Sequence, residues 1–157
     1  MARSAITRTG RQRIALTAGP VAIADVLADL DAVGVLLGSL LDQPRCTGLP
    51  DRSWALPPIG LGLRSLVVVA IPHVTRIGDD IEIRAISTPQ SDATVDLTLG
   101  ACCVPRPAGG TELTTSWRLE LGLPVRRSVM SLMTPAIDHS VRRIVADVMR
   151  RTSAAVG

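Results

Sequence analysis

The stretch from Gly109 to Gly157 constrains the fold more than any other part of the chain. Between Gly110 and Leu121, Leu113, Thr115, Trp117, Leu119 and Leu121 fall on one side, and Glu112, Thr114, Ser116, Arg118 and Glu120 on the other. That period of two belongs to a strand of an antiparallel sheet with one wet face. A Pro-started amphipathic helix follows and runs almost to Gly157. A sheet with one apolar face has to be covered, and no other segment is long enough to do it.

The helical region reads as two segments. In Pro124–Met133 the apolar stripe is Val125, Val129, Leu132 and Met133; in Pro135–Arg151 it is Ile137, Val141, Ile144, Val145 and Val148. At ~100° per residue the stripes are out of phase by roughly a third of a turn. Mid-helix, Pro135 would clash with the Ser131 carbonyl and disfavour helical geometry at Thr134. The expectation is a break there, with Thr134 capping a second helix.

Upstream, 1–10 reads as a flexible N-terminus and 11–155 as a single domain. Arg11–Ala18 predicts a short strand. Ile23, Val26, Leu27 and Leu30 predict a helix over Val21–Leu30, started by Pro20, and a second short helix is expected at Ala32–Leu41. Asp42–Leu63, rich in Pro and Gly, holds one strand around Arg52–Leu56, which carries Trp54 and ends at Pro57-Pro58. Leu63–Thr75 is apolar almost throughout. Gly78-Asp79-Asp80 predicts a hairpin into Ile81–Ser87. Asp92–Val104 alternates, with Val95, Leu97 and Leu99 on one face.

The composition excludes several functions. Phe, Tyr, Lys and Asn are absent, and the formal charge is only +3, carried by Arg. That pattern suits a G+C-rich, bacterial genome. With no aromatic platforms and no concentrated basic face, no nucleic acid partner is expected. The interior rests on aliphatic residues, Trp54 and Trp117, so its elements either pack closely or leave a cavity. Cys46, Cys102 and Cys103 form no disulfide or zinc framework, and Met1–Arg13 has no apolar core of a secretory signal, so the expected location is cytoplasmic. The longest apolar run, Leu66–Pro72, is far short of the ~20 residues a membrane helix needs, so no membrane insertion is expected.

The element order, together with Gly110-Thr111-Glu112-Leu113-Thr114-Thr115-Ser116-Trp117, Gly122-Leu123-Pro124 and Leu132-Met133-Thr134-Pro135-Ala136-Ile137, resembles the START-like (SRPBCC, polyketide cyclase/dehydrase-type) helix-grip superfamily. The resemblance implies an α+β fold, with a curved antiparallel sheet of about seven strands around the C-terminal helix and two short helices after the first strand. It also implies a cavity for a hydrophobic small molecule or lipid between sheet and helix, with no cofactor. Its lining would be Trp54, Val95, Leu97, Leu99, Trp117, Leu119, Met133, Ile137 and Val141, unless these positions are plain core. Two alternatives are a cyclase/dehydratase-type enzyme and a non-catalytic interaction or maturation module working through a protein partner.

Of the polar residues, only His73 is a candidate general base, at the end of the most apolar strand. The competing reading is a His bonded to backbone or water. His139 lies opposite the helix stripe and is expected in solvent. Asp138–Arg142, Arg143–Asp147 and Asp147–Arg151 fit the i, i+4 pairs of a solvated helix face. Gly60-x-Gly62 leads into a strand and offers no helix N-terminus to a phosphate. There is no metal-ligand spacing, nucleophile elbow or Walker loop.

Overall fold

The computed structural model describes residues 3–28, 54–61 and 64–156, with the side chains of 54–61, 64, 65, 67, 144 and 147 left aside. Its elements are β1 (Ser4–Leu16), α1 (Pro20–Ala28), β2 (Trp54–Leu61), β3 (Arg64–Ile77), β4 (Asp80–Ser87), β5 (Thr94–Pro105), β6 (Thr111–Leu123) and α2 (Arg127–Val156). The strands form one antiparallel sheet in the order β1-β6-β5-β4-β3-β2. It has six strands among the described residues, not seven. The helix expected at Ala32–Leu41 lies outside the described residues.

β1 corrects the reading of the N-terminus. Ser4–Gly10, expected to be frayed, pairs with β6 from Ser4↔Leu123 to Gly10↔Trp117. The strand runs thirteen residues. β2 likewise does not end at the prolines. Its register shifts between Leu56 and Ile59, then pairing resumes to Leu61. Pro57 and Pro58 thus occupy an irregularity on an edge strand, where a missing donor is tolerated.

The β3–β4 hairpin turns where Gly78 predicted it. Gly78 has φ +62, a left-handed geometry that costs glycine nothing. In β4, Ile81, Ile83 and Ala85 are buried while Glu82, Arg84 and Ile86 are exposed. The register carries that inner face across to Pro72 and Val74 of β3 and to Leu97, Leu99 and Ala101 of β5.

α2 is the largest correction. It is one helix that begins at Arg127 and contains Pro135. The two stripes are out of phase only if Val129 and Leu132 belong to the first. They do not: Val129 is 38% exposed and Leu132 is 82% exposed. Met130 is the buried residue, at 2%. Met130, Met133, Ile137, Val141, Val145, Val148, Met149 and Thr152 then form one continuous inward stripe, spaced by threes and fours. Pro135 sits on the exposed side. It leaves the Ser131 carbonyl without its helical donor, while Thr134 Oγ1 donates back to the Met130 carbonyl at 2.9 Å.

Candidate functional site

α2 packs on the inward face of the sheet, its first turns near the end of β6 and its last turns near α1. Two clusters pack beneath it. At the α1 end, Leu16, Ile23, Leu27, Ile81, Leu113, Trp117 and Met149 are buried together. At the other end, Leu66, Val68, Val95, Leu119, Leu123 and Met130 form the second cluster. Leu97 and Val141 pack on both.

Strand register fixes what lies between the clusters. One inward row across the sheet is Arg8, Leu119, Leu97, Ala85 and Pro72; the next is Gly10, Trp117, Leu99, Ile83 and Val74. β5 lies well inside the sheet, where an inward side chain is ordinarily dry. Yet Leu97 and Leu99 are only half-buried, as are Val74 across from them and Met133, Ile137 and Val141 on α2. Val95 and Cys103, nearer the two ends of the same strand, are buried. In the same two rows Leu119, Ala85, Trp117 and Ile83 are buried. The half-burial at the centre of the groove is therefore a property of β5, Val74 and the facing side of α2, and Ala101 and Val148 share it toward the α1 end.

Trp117 closes one side of this centre. Its indole lies directly over Gly10, and a Cβ there would overlap Cζ2. The ring fits because β1 offers only backbone at that point. Beside it, Arg8 fastens β1 to α2. Its guanidinium donates to both carboxylate oxygens of Asp138, with Nε–Oδ1 at 2.6 Å. This hydrogen bond holds the Asp138 carboxyl below the usual carboxylate range. One turn on, Gln12 Nε2 donates to the Arg142 carbonyl at 3.3 Å. Asp138 thus reaches across to β1, and the pair expected with Arg142 is not formed.

Eight of the nine residues expected to line a cavity, Val95, Leu97, Leu99, Trp117, Leu119, Met133, Ile137 and Val141, converge on this interface. Of Trp54 only the backbone is described, opposite Ala70. His73 is exposed and pairs in register with Arg84, on the face of the sheet opposite α2. It points away from α2, so it is no general base for a groove ligand. His139 is exposed as expected. Arg84 is solvent-facing too, and it holds Asp96 through two hydrogen bonds of 2.8 and 3.1 Å. Arg8 and Gln12 were missed. Their partners lie 130 residues away, and the alternation of Ile6, Arg8, Gly10, Gln12 and Ile14 is broken by polar side chains.

Cys102 and Cys103 are free. Burial pushes the Cys103 thiol up to about 11, and the Asp80 carboxylate raises that of Cys102. Among the described residues, no group of His, Cys, Asp and Glu could hold a metal ion. No described helix is long and apolar enough to cross a membrane.

No family model matches the chain, and no curated protein matches it by sequence. Solved structures do match. A conserved protein from Geobacillus kaustophilus superposes with a TM-score of 0.67 at 14% identity, covering 95% of each chain. A norcoclaurine synthase from Thalictrum flavum, solved with a transition-state analogue, gives 0.56 at 14% identity over 98% of this chain and 96% of its own. A START superfamily protein from Mycobacterium smegmatis gives 0.50 at 16% identity over 97% and 96%. The chain has a START-like helix-grip fold.

Proposed function

We propose that the chain binds and carries an apolar small molecule or lipid in the groove between the inward face of the sheet and α2. The observation that carries this reading is the half-burial of Leu97, Leu99, Val74, Ile137 and Val141, which lie between two buried clusters. Apolar surface left wet in an interior costs about 25 cal/mol per Å². An apolar ligand removes that cost, and recovery of it is the binding energy. The lining is aliphatic with one indole, and Arg8 and Asp138 are already engaged with each other. The fold supports the reading, since START-like folds commonly hold hydrophobic ligands. Free thiols suit a reducing compartment, and the proposed location is the cytoplasm.

The test is uptake of a neutral apolar dye, Nile red, with native mass spectrometry of the gently desalted protein. Saturable uptake is expected, together with a co-purifying apolar adduct. Leu99→Trp, which fills the centre, should remove both while leaving the protein folded. A folded wild-type chain that takes up no dye and carries no adduct would overturn the proposal.

A further inference from the structure

We propose that the outward face of the first turns of α2 docks on an anionic lipid bilayer. Leu132 is 82% exposed and Val129 38%. Exposed Ser128, Ser131, Pro135 and Ala136 complete an uncharged face around them. No Asp or Glu occurs between Glu120 and Asp138. Flanking this face are Arg126 and Arg127, both exposed and without an ion pair among the described residues. Arg3 adds a third cation at the same end, with its Nε 3.6 Å from where a Cβ on Gly122 would lie.

Arg11, Arg13, Arg106, Arg142 and Arg143 are also exposed without an ion pair among the described residues, but four arginines are locally neutralised. Arg8, Arg76, Arg84 and Arg118 each hold a carboxylate. Arg126 and Arg127 instead stand where the helix dipole is already positive, so they oppose the local field. An exposed leucine beside unneutralised cations gives the isolated fold nothing and complements a surface that is both anionic and apolar.

The shape favours a bilayer over an acidic protein. A stable protein interface needs about 800 Å² per partner and close surface complementarity. This face is convex and two turns long. A bilayer interface accepts single protruding apolar side chains with cations beside them, without a matching shape. Docked this way, the Leu66–Leu123–Met130 end of the groove lies nearest the lipid.

The test is co-sedimentation with phosphatidylcholine vesicles, with and without phosphatidylglycerol. Binding is expected only to the anionic vesicles, weakening as salt is added. Arg126→Gln with Arg127→Gln should lower the partition coefficient roughly 25-fold, at about fivefold per arginine. Leu132→Ser should lower it roughly tenfold, and Arg118→Gln should leave it unchanged. Every substituted side chain is exposed, so the variants should fold. Failure of the wild type to bind, or binding that ignores Leu132→Ser and follows charge alone as for an acidic protein partner, would overturn the proposal. Nile red uptake in the same samples separates this outcome from failure of the groove reading.

Discussion

The α1 end of the groove and its centre are built from the same kinds of residue, yet several side chains are fully buried at the first and only half-buried at the second. Leu113, Trp117, Ile81 and Met149 are buried at the α1 end; Leu97 and Leu99 are half-buried at the centre. The difference lies in what covers them. At the α1 end both helices lie over the sheet, and α1 packs on β3, β4 and β5 as well as on α2. At the centre α2 is the one covering element among the described residues, and of the strands it packs most on β1. Hydrophobicity selects the inner face of a strand, while closure depends on a second covering element.

The largest expected effects break this comparison at the closed end. Trp117→Ala should cost about 3–5 kcal/mol and Leu113→Ala about 3 kcal/mol in urea denaturation, since each leaves a cavity in a packed cluster. Gly10→Val should cost about 3 kcal/mol by driving the Trp117 indole off β1. Leu99→Ala, at the centre, should cost only about 1 kcal/mol, because a half-buried side chain has less apolar area to lose. Equal costs for Leu99→Ala and Leu113→Ala would erase the distinction.

Pro135→Ala sharpens the description of α2. An alanine supplies the donor that the Ser131 carbonyl lacks, at an exposed position with no packing to lose. Stability should rise by about 1–2 kcal/mol. Two separate helices with Pro135 as a first residue predict no gain.

A smaller effect comes from Cys103. Its folded pKa of about 11 lies above the unfolded value near 8.5. The stability it contributes is whole below about pH 8.5 and is lost as pH rises toward 11. Cys103→Val should flatten the decline of the urea midpoint over that window. Smallest is Asp138→Asn. It releases the charge on Arg8 from its partner and should speed dye entry at the β1 edge while changing total uptake little.

Much of the fold was legible because alternation is local. β4, β5 and β6 declare their inner faces, and their register sets the faces of their neighbours. What was not legible depends on partners far away in sequence. β1 looked like a frayed tail because an edge strand with Arg8 and Gln12 turned inward has no apolar alternation. Its order comes from β6 and Asp138. The unbroken apolar run Leu66–Pro72 in β3 gave His73 no phase, and its pairing with Arg84 turns it outward. Leu132 misled the helix because periodicity assumes that a large apolar residue is buried.

Xenon pressurisation of a crystal of the unliganded protein tests the central claim most directly, because xenon enters apolar voids and little else. The account predicts xenon among Leu97, Leu99, Ile137 and Val141, with none in the cluster around Leu113 and Met149. An empty centre, with those four side chains closed on one another, would contradict it.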